Sequence, residues 1–255
     1  MSTLFPNLRR RVANLVDHQI YADKHALDNL STELLQHRTP LWRPLEGLSR
    51  DATSLKVTNL QRVIESIDGI IISPGEAFSF WRLVGKPSLK SGFRKALGGI
   101  DGSLVMHMGG GIPQATNLIF WMAAQGPFEV LERWRHTYDL FPDVARTLPF
   151  GSGATVLAEH RDLRLKNSSV HKVQIRLWLT PTHLHGALYS DASVPLFNLA
   201  ESDHRIVDRG NGKFTRHNKI WRIMEGQKKL LVTNNALLSY VPTDSTVIER
   251  RPISE

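Results

Sequence analysis

Apolar residues recur at three- and four-residue spacing in two parts of the chain, a period typical of amphipathic helices. The first part, residues 8–37, predicts a helical N-terminal arm, and an extended linker with Pro40 and Pro44 follows it. The second part begins after Asp51 and predicts a helix that ends near Gly69. The apolar face of this second helix contains Val57, Leu60, Val63, Ile64 and Ile67.

Another apolar run follows three consecutive glycines and predicts a buried helix at the centre of the fold. The glycines at 109–111 can adopt positive φ angles, and Pro113 suits the first helical turn. We expect this helix to begin at residue 111 or 112 and to continue to about residue 125, because a Gly-Pro pair then ends it.

The N-terminus of this central helix is a candidate anion site, because unpaired N–H groups and the positive end of the helix dipole meet there. The residues expected to bind a ligand are Gly109, Gly110, Gly111 and Gln114. We also expect φ angles to constrain this loop more than packing does, so that Gly110 accepts a β-branched residue without loss of the fold. A tight turn that only packs the helix is the alternative interpretation.

Most other apolar positions fit β-strands. A short apolar strand is predicted at 70–72, and the alternation over 128–140 predicts a strand that places His136 on its largely buried face. Residues 86–100 are rich in lysine and glycine and predict an irregular basic loop. Further strands are predicted at 154–165, 172–179, 182–189, 214–224 and 229–233.

Together these elements predict an α+β protein with a helical N-terminal arm and an antiparallel sheet packed on the central glycine-loop helix. We expect three parts. They are an arm and linker over residues 1–50, a core domain over 51–190, and a small β appendage with a tail over 191–255.

Composition restricts the chemistry and the partners. The chain contains no cysteine, so it can form neither a disulfide nor a thiolate nucleophile. Its net charge of +8 and isoelectric point near 9.9 favour an anionic partner, such as an anionic membrane surface or an envelope precursor. Neither a signal peptide nor a membrane-spanning stretch is recognisable, which predicts a cytoplasmic protein, with peripheral binding to the membrane as a further option.

Several motifs accompany the glycine loop, and in this order they resemble the VanW family, which includes the accessory proteins of B-type vancomycin-resistance clusters. The glycine-loop motif is Gly-Gly-Gly-Ile-Pro-Gln at 109–114. The others are Lys-Val-Thr-Asn-Leu at 56–60, Ser-Pro-Gly-Glu at 73–76, Phe-Ser-Phe-Trp at 78–81, Glu132-Arg133 with His136, Phe-Pro-Asp at 141–143 and Arg-Thr-Leu-Pro-Phe-Gly-Ser-Gly-Ala-Thr at 146–155.

One residue departs from the family pattern, which has a cysteine where this chain has Pro113. A cysteine at a helix N-terminus has a lowered pKa. The resemblance therefore implies that relatives use it as the nucleophile of an L,D-transpeptidase-type reaction. The order of nucleophile, histidine and polar residue in papain-like cysteine enzymes falls here on Pro113, His136 and Ser152. We expect His136 to face residue 113 and to be oriented by Ser152 or a backbone carbonyl.

The resemblance implies a function tied to the cell wall or to glycopeptide resistance, and Pro113 favours an accessory or ligand-binding role over catalysis. The expected ligand is a peptidoglycan stem peptide or another anionic envelope precursor. One alternative is a peptidoglycan L,D-transpeptidase-like enzyme with an unrecognised nucleophile. The other is a basic nucleic-acid-binding protein, which only the charge supports. No cofactor or metal is expected, although His183 and His185 share a strand face.

Overall fold

The computed structural model describes residues 17–42, 50–140, 148–242 and 248–250, with the backbone alone at 50–53 and 248–250. Strands predominate over helices, and the α+β class is confirmed. No helix of the described residues is long and apolar enough to cross a membrane. The helices are α1 (Arg50–Ile67), α2 (Phe80–Val84) and α3 (Ile112–Gln125).

The strands of the described residues form four sheets. The first sheet has the order β1-β3-β10-β11-β2, the second β15-β12-β13-β14-β8, the third β4-β9-β7 and the fourth β5-β6. Their bounds are β1 (Lys24–His25), β2 (Thr32–Pro40), β3 (Ile70–Ile72), β4 (Ala77–Ser79), β5 (Lys95–Ile100), β6 (Ser103–Met108), β7 (Phe128–Glu132), β8 (Tyr138–Asp139), β9 (Arg164–Asn167), β10 (Val173–Leu179), β11 (His183–Ser190), β12 (Asn198–Asp208), β13 (Phe214–Met224), β14 (Gln227–Leu238) and β15 (Ile248–Arg250).

The central helix α3 contacts the first sheet through an apolar face. A Cβ atom at Gly186 of β11 would lie 2.7 Å from Met122 Cε and 3.2 Å from a Leu118 methyl, so glycine leaves room for these two side chains against β11. Leu118 and Met122 are fully buried, together with Phe120 and Ile119. The helix therefore belongs to the main hydrophobic core.

The predicted helical arm is wrong for the residues that the structure describes, while residues 8–16 lie outside them. Within 17–37 the structure has β1 and most of β2. β2 pairs with β11 over eight residue pairs and contains a bulge near Leu188 and Tyr189. Leu34 and Leu35 both pack on the core, and their spacing from Leu27 and Leu30 imitates a helical repeat. Long-range pairing with β11 overrides that local pattern.

Most of the predicted strands are present, but several begin or end at other residues than predicted. The predicted strand at 128–140 is divided into β7 and β8, and the one at 154–165 becomes strand only from Arg164. The predicted irregular loop at 86–100 ends in β5, half of a hairpin with β6. The predicted strand at 214–224 coincides with β13, the one at 229–233 lies within the longer β14, and β12 was not predicted.

A partly buried charge cluster fixes the segment before β1 to the core. The Arg164 guanidinium lies 2.7 Å from an Asp17 oxygen, 3.1 Å from Asp162 and 3.4 Å from Glu132. Burial opposes ionisation of Asp17, but hydrogen bonds from the Tyr21 hydroxyl and a backbone N–H, with the charge of Arg164, outweigh it and lower its pKa. Each charged group of the cluster therefore has a partner of opposite charge, which offsets the cost of removing it from water.

Candidate functional site

The glycine loop starts α3 as the sequence predicted. Gly111 is the N-cap with φ of 93°, and the helix continues from Ile112 to Gln125. Four N–H groups of this turn donate to backbone carbonyls of the protein, at 3.0 to 3.2 Å. They are Gly109 to Arg94, Gly110 to His107, Ile112 to Gly109 and Gln114 to Gly111. These donors stabilise the turn itself, so they are not directed toward an external anion.

The expectation that φ constrains Gly110 more than packing is wrong. Gly110 is absent from the residues with positive φ. A Cβ atom there would lie 2.1 Å from the Ala96 carbonyl oxygen and 2.9 Å from that of Leu97, both backbone atoms of β5. Gly110 is therefore required because the loop and the hairpin touch backbone to backbone.

Asn59, buried on α1, holds the loop and the hairpin together. Its side-chain N–H group donates to the Gly110 carbonyl at 2.8 Å and to the Arg94 carbonyl at 3.0 Å. Its side-chain oxygen accepts from the Arg94 N–H at 2.8 Å. One amide thus satisfies three backbone groups, which explains the polar residue within the motif at 56–60.

The Gln114 side chain also makes contacts within the protein. Its amide donates to Thr39 Oγ1 at 2.9 Å and to the Pro40 carbonyl at 3.0 Å. These bonds tie the first turn of α3 to the end of β2. The stretch that sequence analysis assigned to ligand binding is thus hydrogen-bonded to three neighbouring elements.

His136 lies in the irregular link between β7 and β8, close to the first turns of α3. Its Nε2 is 3.1 Å from Asn117 Oδ1, and Asn117 lies one helical turn after Pro113, on the same face of α3. Its Nδ1 is 2.7 Å from the Thr155 hydroxyl. Asn117 Oδ1 also accepts from the Ala154 N–H at 2.9 Å, so Nε2 must be the donor to it. In neutral His136, Nδ1 then accepts a hydrogen bond from the Thr155 hydroxyl.

Ser152, the third residue of the predicted site, points elsewhere. Its hydroxyl donates to the Pro149 carbonyl at 2.7 Å, within its own turn. Gly153 next to it is required by space, since a Cβ atom there would lie 2.2 Å from Asn117 Oδ1 and 2.9 Å from His136 Nε2. The Gly-Ser-Gly segment therefore lets the chain pass close to the histidine.

Arg133 holds that segment in place. Its Nε donates to the Gly153 carbonyl at 2.9 Å and its Nη2 to the Gly151 carbonyl at 2.5 Å. Burial, with the nearby charge of Arg135, lowers the pKa of Arg133 to about 10, so it stays charged at neutral pH. Two separate motifs, at 132–136 and 146–155, are joined by this side chain.

Other candidate chemistry is weak in the described part of the chain. The Thr116 hydroxyl donates to the Ala154 carbonyl at 2.7 Å, and the Ser79 hydroxyl donates to Asp162 at 2.6 Å. In that same part no group of three or more His, Asp or Glu residues could hold a metal ion. The ring of His185 instead stacks on Trp178, with centroids 5.2 Å apart.

Sequence reasoning missed three residues that organise the site: Asn59, Asn117 and Thr155. Asn59 and Asn117 are polar residues inside apolar helical runs, and such an interruption signals a buried hydrogen-bonding role. No local signal singled out Thr155, because its contact with His136 depends on the fold. The motif residues at 141–143 and 146–147 lie outside the described residues.

Residues 55–189 match the family described as VanW like protein, and the chain belongs to this family. It is 29% identical to the vancomycin B-type resistance protein VanW of Enterococcus faecalis over 202 residues, covering 76% of this chain and 73% of that protein. It is 28% identical to the uncharacterized protein YoaR of Bacillus subtilis over 121 residues, covering 46% of this chain and 37% of YoaR. No solved structure matches the chain.

Proposed function

We propose that this protein acts in vancomycin resistance as an accessory or binding protein of the cell envelope, without catalysis at the glycine loop. The observation that carries this proposal is Pro113 in a chain without cysteine. A proline at this position cannot supply a nucleophile, and it fits the first turn of α3.

The surrounding contacts support a structural, non-catalytic role for the motif residues. Asn59, Gln114 and Arg133 each bond to backbone groups of other elements, so the motifs build a rigid framework. Similarity to the enterococcal VanW protein supports the link to vancomycin resistance. The proposed ligand is a peptidoglycan stem peptide or a related anionic precursor, in keeping with the net charge of +8.

A complementation experiment tests the absence of catalysis. A strain lacking this gene receives the wild-type protein or His136→Gln, which keeps a hydrogen-bonding side chain but removes the base. We expect both to restore the same vancomycin tolerance, measured as the minimum inhibitory concentration. Equal protein levels, checked by immunoblotting, serve as the control. Loss of tolerance with the variant alone would contradict the proposal.

Catalysis by a different nucleophile is a second candidate function, and two hydrogen bonds favour it. The Thr155 hydroxyl, His136 and Asn117 form a continuous hydrogen-bonded chain of 2.7 and 3.1 Å. A nucleophile, a base and an orienting group in this order resemble an acyl-transfer relay. Such a function would be the transpeptidase-like activity that the family pattern implies.

Two variants at Thr155 distinguish the catalytic function from the accessory function. Thr155→Ser keeps the hydroxyl, whereas Thr155→Val keeps the shape and removes it. If the relay is catalytic, only the serine variant retains peptidoglycan cross-linking in a stem-peptide assay followed by mass spectrometry. Under the accessory function, neither the wild type nor either variant forms cross-linked product.

A further inference from the structure

A groove lies between two strand edges, one unpaired and one paired only at its end, within the described part of the chain. β7 is the outer strand of its three-stranded sheet. β14 pairs with β8 only at Leu237 and Leu238 and leaves the rest of that edge unpaired. An open cavity of about 490 Å³, within the range of ligand pockets, lies between the two edges. Its lining is Val130, Leu131, Arg133, Trp134, Arg135, Leu231, Val232 and Thr233.

Both edges are bulged where they face this cavity. In β7 the pairing with β9 skips Leu131, and in β14 the pairing with β13 skips Leu231. A bulge leaves one residue outside the ladder and bends its strand, and bulges are frequent beside functional sites. Two opposed bulges therefore open the space between the sheets.

The β14 edge presents backbone groups to the groove. The Leu237 N–H donates to the Thr137 carbonyl on the β8 side at 3.0 Å. Alternate residues of a strand direct their N–H and C=O groups to the same side. No register shift separates Leu237 from Thr233, so Thr233 and Asn235 direct theirs to the unpaired edge.

The charge at the groove is positive. Arg135 is exposed, and in the part of the chain that the structure describes it makes no hydrogen bond or ion pair. Arg133 is half-buried, and burial together with the nearby charge of Arg135 lowers its pKa. Arg133 also reaches Asn234 Oδ1 at 3.4 Å, which links the two edges at one end of the groove. An anion beside Arg135 would relieve the repulsion between the two cations.

We propose that this groove binds a short extended peptide with a free terminal carboxylate. The peptide backbone pairs with the β14 edge, as in strand addition to an exposed sheet edge, and the carboxylate binds Arg135. The apolar lining suits small apolar side chains. β7, which forms the opposite wall of the groove, is five residues long, so a peptide of about five residues would span it. This inference rests on the proposed binding role and names its ligand class and site.

Titration of the full chain with two synthetic peptides tests the groove. The probes are N-acetyl-tetraalanine with a free carboxylate and the same peptide as its amide, followed by amide chemical shifts in NMR. We expect the acid to bind about tenfold more tightly than the amide, as for one charge-assisted hydrogen bond. Arg135→Gln should abolish that difference. The matched control Lys24→Gln removes a charge from β1, outside the groove lining, and should leave it unchanged.

Thr233→Pro tests the strand pairing. Its N–H faces the open edge, so proline removes no bond to β13 and should preserve the fold. We expect this variant to lose binding of both peptides while its circular dichroism and Tm stay close to those of the wild type. No binding by the wild type, equal binding of acid and amide, or unchanged binding by Thr233→Pro would each overturn the inference. So would self-association through this edge that the peptide does not displace, seen by light scattering.

The same variants separate this inference from the proposed function. If Arg135→Gln and Thr233→Pro lose the peptide yet keep vancomycin tolerance, the groove is not the site of the accessory role. If the wild-type protein confers no tolerance but binds the acid peptide as expected, the resistance role fails and the groove remains.

Discussion

Gly110→Ala should be among the most damaging single substitutions in the chain. The added Cβ atom would lie 2.1 Å from the Ala96 carbonyl oxygen. This oxygen belongs to the backbone of β5, so it cannot move aside as the end of a flexible side chain could. The loop or the β5–β6 hairpin would have to shift, breaking the Asn59 bond to the Gly110 carbonyl. We expect a loss of at least about 3 kcal/mol in the free energy of unfolding, measured by urea denaturation.

Gly210→Ala is the matched control for this experiment. Gly210 has φ of 80° and no atom within 4 Å of the added Cβ, so it tests backbone strain without packing. We expect it to cost about 1 kcal/mol, the usual penalty for a left-handed residue with a side chain. Similar losses for the two variants would mean that close backbone contact is not what requires glycine at 110.

Features that depend on neighbouring residues were predicted well from the sequence. The start and end of α3 follow from the glycines, Pro113 and the Gly126-Pro127 pair, all within a few residues of the helix. The family was recognised from short motifs, which are likewise local. Prediction succeeded where the residues that determine a feature lie next to it in the sequence.

Features that depend on distant contacts were missed. Leu27, Leu30 and Leu34 have helix-like spacing, but pairing of β2 with β11, some 150 residues later, makes Leu34 part of a strand. His136 was recognised as a candidate, whereas its partners Asn117 and Thr155 lie on different elements. The role of Gly110 depends on the backbone of β5, which the sequence presented as a loop. In each case the partner of the contact lies far away in the sequence.

Arg222 of β13 connects the sheet of β12 to β14 with the central helix. Its guanidinium donates at 2.7 Å to each of three carbonyls, those of Ala123, Ala124 and Phe128. The first two belong to the last turn of α3, where unpaired carbonyls and the negative end of the helix dipole favour a cation. Burial lowers the pKa of Arg222 to about 10, so it remains charged at neutral pH.

Arg222→Met should therefore destabilise the protein strongly. Methionine fills part of the space but leaves three carbonyls, two of them at the helix end, without their charged donor. We expect a loss of about 3–5 kcal/mol in urea denaturation, because each hydrogen bond to a charged group contributes about 1.5–3 kcal/mol. Hydrogen exchange should show faster opening of β12 to β14 and of the last turn of α3 than of β10 and β11.

Two further variants decide whether the hydrogen bonds or the charge matter. Lys229→Met removes a positive charge from the exposed residue paired with Arg222 in the ladder, and we expect it to change stability by less than about 0.5 kcal/mol. Arg222→Lys keeps the charge but cannot direct donors to three carbonyls, so we expect an intermediate loss. If Arg222→Met were as stable as Lys229→Met, the contact between β13 and the end of α3 would not be what holds the second sheet to the core.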